Sequence, residues 1–242
     1  MRILTVEQLC KAFGGLKAIN NLDFYVDEGE IIGIIGPNGS GKTTALNLIT
    51  GFLKPNTGKI TFQGENITGL PRYQINKKGI ARTFQLCKPF LDFTALQNVM
   101  VGRVYGQAPC ENMKIAAFES EEILDQVGLL NKSQILVKDL TVMERKRLEL
   151  ARALATKPAM LLLDELMAGL NLAEADDVCQ LISRIRDSKV TIIMVEHIVK
   201  AVTCISNRII VLNMGEKIAE GHPEEIVNNP KVIEVYLGKS HA

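Results

Sequence analysis

The chain has 242 residues, enough to bury a full core as one large domain or as one domain with a sizeable insertion. Its 28 basic and 27 acidic side chains give a net charge of +1, so no global field favours nucleic acid or an anionic membrane. The five cysteines form no CxxC pair and the apolar runs are short, which excludes a disulfide framework and a membrane-spanning segment.

The N-terminal part of the sequence predicts β-strands followed by a glycine-rich loop and a helix. Alternating and continuous apolar positions predict strands across residues 3–35, and a helix follows at about 42–50 before a terminating glycine. Turn residues flank a predicted strand at 58–67, and a further strand is predicted at 79–85. The glycine-rich loop therefore lies between a buried strand and a helix N-terminus.

The remainder of the chain passes from helical periodicity to an alternation of helices and strands. Helical periodicity dominates about 91–130. In the tail, Pro223 and Pro230 predict the starts of two short helices, and Gly238 predicts the end of the second. Between these parts the sequence predicts helix 144–155, strand 159–164, helix 174–187, strand 190–196, helix 198–204 and strand 208–213.

Continuously apolar strands separated by helices predict an α/β fold with a parallel sheet that is covered on both faces. We expect a core with an N-terminal antiparallel β subdomain at 1–85 and 156–215. A helical subdomain is expected as an insertion at 86–155, and a C-terminal strand with short helices at 216–242.

The glycine-rich loop carries a phosphate-binding motif. Residues 36–44, GPNGSGKTT, match G-x-x-x-x-G-K-[ST] in the required context of a strand before and a helix after. In such a loop the backbone amides wrap the phosphates, Lys42 reaches the β- and γ-oxygens, and the Thr43 hydroxyl ligates magnesium. A plain glycine-rich turn is the alternative that this context disfavours. The predicted nucleotide ligands are Gly36, Pro37, Asn38, Gly39, Ser40, Gly41, Lys42, Thr43 and Thr44.

Two further strands end in side chains suited to nucleotide hydrolysis. Asp164 ends the apolar strand MLLLD and suits magnesium, and Glu165 follows it and suits orienting or deprotonating a water. His197 follows the strand VTIIMVE at the same predicted sheet edge, where it suits a γ-phosphate sensor. A solvated turn for the two acids and a structural role for the histidine are the alternatives.

With these parts in order, the sequence closely resembles the ATP-binding cassette ATPases over nearly its whole length. The resemblance implies a P-loop NTPase with a RecA-like parallel sheet core. It also implies that Phe13 in KAFGG stacks on adenine and that Gln85 in ARTFQ touches magnesium and the attacking water. Asp164 then corresponds to the Walker B acid, Glu165 to the catalytic glutamate and His197 to the switch histidine.

Within this family, the stretch DELMAGLN and the tail HPEEIVNNPKVIEVYLG resemble the cassettes of branched-chain amino acid importers. Lipopolysaccharide-export cassettes are similar and remain the alternative. The resemblance implies ATP and Mg²⁺ as cofactors, with Thr43, Gln85 and Asp164 as metal ligands. It implies transmembrane permease subunits, a second cassette and, indirectly, a substrate-binding protein as partners, and a peripheral position at the cytoplasmic face of the plasma (inner) membrane.

The family's LSGGQ signature is altered in this chain. The aligned residues are Leu140, Thr141, Val142, Met143 and Glu144, so both glycines are replaced. Thr and Glu three residues apart predict a capping box, so we expect the following helix to form. In the family this segment contacts ATP bound to the opposite subunit, and added Cβ atoms obstruct a close approach to phosphate. We therefore expect a weakened trans contact and favour a heterodimer with a second cassette of intact signature.

The basic run at 145–147 is predicted to be a solvated helix face, because no aromatic or basic support for nucleic-acid binding appears elsewhere.

Two other function classes are alternatives to an ATP-hydrolysing transport subunit. The altered signature supports a nucleotide-gated dimerising subunit with weak hydrolysis. A regulatory GTPase is disfavoured, because the stretch NKSQ at 131–134 ends in Gln where guanine recognition needs Asp.

Overall fold

The computed structural model describes residues 1–84, 88–196 and 199–237. In chain order the elements are β1 (Arg2–Phe13), β2 (Leu16–Asp27), β3 (Ile31–Ile35), α1 (Lys42–Ile49), β4 (Thr57–Phe62), β5 (Glu65–Asn66), α2 (Arg72–Lys77), β6 (Ile80–Arg82), α3 (Ala95–Tyr105), α4 (Met113–Gln126), α5 (Val142–Ala155), β7 (Met160–Asp164), α6 (Leu172–Asp187), β8 (Thr191–Val195), α7 (Val199–Ile205), β9 (Arg208–Asn213), β10 (Glu216–Gly221), α8 (Pro223–Val227) and α9 (Pro230–Leu237). Short 3-10 turns lie at Leu130–Lys132 and Val137–Asp139. None of the helices in these ranges is long and apolar enough to cross a membrane.

The chain divides into two compact units, Met1–Ile75 with Met167–Ala242, and Asn76–Leu166. In the first unit, an antiparallel sheet has the strand order β2-β1-β4-β5. A second sheet pairs β3 in parallel with β8 on one side and with β9 on the other, and β10 adds antiparallel to β9. Parallel pairing with crossover helices is the arrangement that the apolar strands predict.

Burial explains why these strands carry continuous apolar runs. All five residues of β3 are buried, as are all five of β8. A strand covered on both faces cannot alternate polar and apolar residues without burying unpaired polar groups. The phosphate loop and the segment that precedes His197 therefore each leave a rigid, buried strand.

The second unit contains a short parallel pair and a helical cluster. Strands β6 and β7 pair in parallel from Ile80 opposite Met160 to Arg82 opposite Leu162. Helix α3 packs on α4 and α5. Helix α5 begins at Val142, earlier than the predicted 144, because its N-cap is Thr141. The predicted boundaries of the helical subdomain at 86–155 stay a prediction.

Candidate nucleotide-binding site

The phosphate loop joins β3 to α1 through glycines that no other residue could replace. Gly36 and Gly41 have positive φ values of 152° and 104°. A Cβ on Gly36 would lie 2.1 Å from the carbonyl oxygen of Leu212, and one on Gly41 would lie 2.6 Å from that of Ala18. Both glycines are therefore required by close backbone approach as well as by conformation.

Within the described ranges, the N-terminus of α1 has neither a side-chain cap nor an acidic residue that would compete with a bound anion. In the described part of the chain, no side chain caps this helix at Gly41, and its first turn holds no acidic residue. Uncapped amides and the positive end of the helix dipole together attract an anion. The geometry of this helix start therefore fits a bound phosphate.

Two polar side chains of the loop are buried and aimed inward. Lys42 is 5% exposed, and its ammonium donates to the carbonyl oxygens of Gly36 and Pro37 at 2.8 and 2.9 Å. The Ser40 hydroxyl is buried and, among the described residues, has no hydrogen-bond partner. A buried hydroxyl without a partner is costly, so its place in this loop fits a polar ligand. The Thr43 side chain is exposed, as a metal ligand at the loop would need to be.

A turn far along the chain supports the loop from outside. The Gly215 amide, between β9 and β10, donates to the Ser40 carbonyl at 3.0 Å, and the Gly215 carbonyl accepts from the Asn20 amide at 2.9 Å. A Cβ on Gly215 would lie 2.8 Å from the carbonyl oxygen of Ala18. The Met-Gly pair between two apolar strands indicates a turn, but no sequence pattern predicts its contact with the phosphate loop.

In the second unit, Asp164 is held at the end of β7. Its carboxylate oxygen Oδ2 accepts from Arg82 Nη2 at 2.7 Å, and its backbone amide donates to the Thr83 hydroxyl at 3.2 Å. The other oxygen, Oδ1, is buried and has no hydrogen-bond partner among the residues that the structure describes. Carboxylate oxygens are preferred ligands of Mg²⁺, so this atom fits the predicted metal role. No sequence pattern marks Arg82 or Thr83, because their contacts with Asp164 join distant parts of the chain.

Glu165 follows in a conformation that a glutamate rarely adopts. Its φ is +51°, in the left-handed region. That region costs a residue with a Cβ about 1–2 kcal/mol, and such backbone strain concentrates at functional sites. Glu165 is partly exposed, whereas all five residues of β7 before it are buried.

Phe13 ends β1 with a ring that is 48% exposed. The Lys11 ammonium lies 5.3 Å from the centre of this ring and donates to the Lys54 carbonyl at 2.8 Å. An exposed aromatic ring offers a stacking surface, which fits the adenine contact that the resemblance implies.

Gln85 and His197 lie outside the described residues, so their roles stay predictions. Glu196, directly before His197, is described and 1% exposed. Its carboxylate accepts from the Met167 amide at 2.7 Å. This bond fixes the chain just before the predicted switch histidine.

The predicted capping box of the altered signature is present. Glu144 accepts from the Thr141 amide at 2.8 Å, and the Thr141 hydroxyl accepts from the Glu144 amide at 3.3 Å. The first of these bonds holds the pKa of the Glu144 carboxyl below its ordinary value, and Lys132 at 3.8 Å adds to the effect. Val142 is 74% exposed at the first helical position. The trans contact itself stays a prediction.

The prediction of a solvated basic face at 145–147 was wrong. All three side chains are partly buried. Arg145 donates from Nε to the Val137 carbonyl at 3.1 Å and from Nη2 to the Lys138 carbonyl at 2.6 Å. Lys146 donates to the Leu166 carbonyl at 3.0 Å. The charges of Arg145 and Lys146 satisfy backbone carbonyls of irregular segments beside the helix, a need that the sequence pattern does not reveal.

The phosphate loop and the acids can be compared with known proteins. A family model described as ABC transporter matches residues 19–168. The chain belongs to the ABC transporter family. A second model, described as branched-chain amino acid ATP-binding cassette transporter, matches residues 216–242 of this ABC protein.

Relatives match the chain from end to end. It is 39% identical to the high-affinity branched-chain amino acid transport ATP-binding protein BraF of Pseudomonas aeruginosa, over 98% of both chains. It is also 39% identical to LivG of Escherichia coli K12, described in the same words, again over 98% of both. The solved ATP-binding cassette MJ1267, in its ADP conformation, is 31% identical with a TM-score of 0.89, over 99% of this chain and 100% of that one.

These similarities confirm the family and the α/β fold that the sequence predicts. The chain is an ATP-binding subunit of an ABC transporter, in which ATP hydrolysis is coupled to transport.

Proposed function

We propose that this subunit powers the uptake of branched-chain amino acids. The observation that carries the proposal is the match along the whole chain, tail included, to relatives that are named for this transport. The N-terminus of α1, which follows the glycine loop and has no side-chain cap, supports binding of ATP phosphates. The lipopolysaccharide-export alternative has no comparable support.

The phosphate loop is proposed to bind the triphosphate. The amides of α1 and the Lys42 ammonium would contact the β- and γ-phosphates, and the buried Ser40 hydroxyl would add a hydrogen bond. Thr43, Asp164 and Gln85 are the proposed magnesium ligands. Magnesium supplies positive charge that stabilises the phosphate oxygens as the γ-phosphoryl group leaves.

Hydrolysis is proposed to depend on Glu165, His197, Gln85 and Lys42, of which Gln85 would touch the attacking water. Glu165 would orient the attacking water and take its proton, and His197 would contact the γ-phosphate. Phe13 would stack on the adenine and hold the nucleotide in register. The unusual backbone of Glu165 supports this assignment, since a surrounding structure that fixes a strained residue also fixes its side chain.

The proposed partners are transmembrane permease subunits, a second cassette and, indirectly, a substrate-binding protein. A solved ABC cassette that is 25% identical to this chain, MJ0796, is described as dimeric, which supports pairing of cassettes. The exposed Val142 at the altered signature supports an unlike partner, because a homodimer would carry two obstructed trans contacts. The proposed location is the cytoplasmic face of the inner membrane, with peripheral attachment through the permease.

Purification from native membranes tests the assembly. A permease pair, a second cassette with an intact signature and a soluble binding protein are expected to co-purify. In proteoliposomes, the complex is expected to take up leucine, isoleucine or valine when ATP is supplied. Accumulation of none of the three, with the complex intact, would exclude the proposed substrate class.

The ATPase rate of the assembled transporter tests the catalytic assignment. Glu165→Gln is expected to lower turnover at its own site by about 100-fold or more, so the total rate should fall to that of the partner's site. The matched control is Glu122→Gln, which changes an exposed glutamate on α4. This substitution is expected to leave turnover unchanged. Equal rates for the wild type and Glu165→Gln would instead favour a nucleotide-gated dimerising subunit.

A further inference from the structure

Arg82 and Asp164, both of the second unit, form a buried ion pair. Their side chains are only 5% and 4% exposed, and Nη2 lies 2.7 Å from Oδ2. A buried ion pair of this kind exists because each charge compensates the desolvation of the other. Whatever binds at Asp164 therefore meets a paired carboxylate and not an isolated negative charge.

The arginine is itself fixed in place. Its guanidinium lies over the Phe84 ring, 5.1 Å from the ring centre. The Phe84 amide donates to the buried carboxylate of Glu149 on α5. Next to it, the Thr83 hydroxyl accepts from the Asp164 amide at 3.2 Å, and the Thr83 amide donates to the Leu162 carbonyl at 2.9 Å. Residues 82–84 thus hold both the side chain and the backbone of the acid.

The two oxygens of Asp164 are consequently inequivalent. Oδ2 is occupied by Arg82, while Oδ1 is buried and without a hydrogen-bond partner in the described ranges of the chain. Rotation of the carboxylate would break the ion pair, so the oxygens cannot exchange freely. Oδ1 is the atom that remains for a cation or for a water in its shell.

We propose that Arg82 is a positioning residue that directs Oδ1 of Asp164 toward magnesium and makes metal binding depend on nucleotide. The proposal rests on the metal role of Asp164 proposed above. A neutral pair attracts a divalent cation weakly, because the guanidinium repels what the carboxylate attracts. Phosphate oxygens of ATP then supply the missing negative charge, so the cation binds with the nucleotide and not before it.

Manganese binding, followed by electron paramagnetic resonance, tests this inference with Mn²⁺ in place of Mg²⁺. The measured quantity is the ratio of Mn²⁺ affinities with and without ATP, in the full-length subunit. Removing the charge with Arg82→Gln is expected to tighten nucleotide-free Mn²⁺ binding at least about tenfold and to lower the ratio accordingly. Arg82→Lys keeps the charge but not the planar contact with Phe84, so an intermediate shift of about threefold is expected.

Three controls separate this effect from general damage. Arg152→Gln removes another arginine of the same unit that lies over an aromatic ring, Phe90 at 5.5 Å, and is expected to leave the ratio unchanged. Arg82→Gln combined with Asp164→Asn is expected to abolish the gained nucleotide-free binding. Circular dichroism checks folding, and Arg82→Lys carries the test if Arg82→Gln does not fold.

The outcomes are distinguishable. An unchanged ratio in the folded Arg82 variants, or an equal shift in Arg152→Gln, would overturn the inference while leaving the proposed function intact. Failure of wild-type protein to bind Mn²⁺ with ATP would contradict the metal role of Asp164 itself.

Discussion

At the scale of single residues, Glu165 combines a proposed chemical role with an unfavourable backbone. Its φ of +51° places it among the few non-glycine residues of the described chain with positive φ. Glycine would adopt this conformation more easily but carries no carboxylate. The proposed role of the carboxylate gives a reason for keeping a glutamate at this position in spite of the backbone strain.

This conflict predicts that two substitutions of Glu165 have the same effect on activity but different effects on stability. Glu165→Gly and Glu165→Ala both remove the carboxylate, and both are expected to lose hydrolysis. Glu165→Gly is nevertheless expected to be about 0.5–1 kcal/mol more stable than Glu165→Ala, because only glycine relieves the left-handed strain. Thermal unfolding of the two variants measures the difference.

The control reverses the sign. Glu122 is exposed within helix α4, where Glu122→Gly is expected to be about 1 kcal/mol less stable than Glu122→Ala. A lower stability of Glu165→Gly than of Glu165→Ala would show that the backbone of Glu165 is not strained.

At the scale of elements, helix α5 keeps its cap although the signature glycines are gone. Glu144 accepts from the Thr141 amide, and the pKa of its carboxyl is lowered in the folded protein. Folding therefore stabilises the charged form of this side chain. A depressed folded pKa contributes stability above the unfolded pKa, and that contribution is lost as the pH falls through the folded pKa.

We therefore expect a pH-dependent difference between the wild type and Glu144→Gln. Gln can complete the same capping box without charge, so the variant should lose only about 0.3–1 kcal/mol at neutral pH. The difference should shrink as the pH falls below the ordinary carboxyl pKa of 4.5. Urea unfolding at pH 7 and at acid pH measures it. A difference that grows on acidification would refute the assignment of the lowered pKa to the cap.

The turn between β9 and β10 is a second element whose effect reaches the phosphate loop. Gly215→Ala would bring a Cβ to 2.8 Å from the Ala18 carbonyl oxygen and strain a φ of +83°. We expect it to cost stability and to weaken ATP binding, because the Gly215 amide that donates to Ser40 would have to move.

Gly64 offers a matched control in the β4–β5 turn. Its φ is +80°, and no described atom lies within 4 Å of an added Cβ. Gly64→Ala should therefore cost about 1 kcal/mol from strain alone and leave ATP affinity unchanged. Calorimetric titration of both variants with ATP separates the two effects. Equal ATP affinities for them would show that the turn does not support the loop.

The features that could be predicted from the sequence are those that depend on residues close together along the chain. The continuous apolar run of β3, the glycine loop and the Thr141 cap depend on neighbours within a few residues, so their patterns are visible along the chain. The contacts of Arg82 with Asp164 and of Gly215 with Ser40 join distant segments, and no spacing encodes them. The prediction of a solvated basic face at 145–147 was wrong for the same reason, since the hydrogen-bond acceptors of these side chains are carbonyls of other segments.

At the scale of the whole molecule, the chain is one subunit of an ABC transporter. Its altered signature is expected to affect ATP hydrolysis only in the assembled transporter. In the pairing that the family resemblance implies, residues 141–144 of this chain contact the partner's ATP, while its own phosphate loop and acids bind its own ATP. Loss of the glycines should then slow the partner's site and spare this one. The two sites can be separated by silencing one of them.

If the second cassette is an unlike chain, as proposed above, the turnover that remains in a Glu165→Gln background reports the partner's site alone. Adding Val142→Gly with Met143→Gly is expected to raise that turnover several-fold, because backbone approach to the γ-phosphate is restored and the exposed Val142 side chain is removed. The matched variant Val142→Ala with Met143→Ala keeps both Cβ atoms and should give a much smaller gain. ATPase measured in the reconstituted transporter decides the matter. No gain with glycine would mean that the helix-terminal amides, which do not depend on side chains, already bind the partner's phosphate fully.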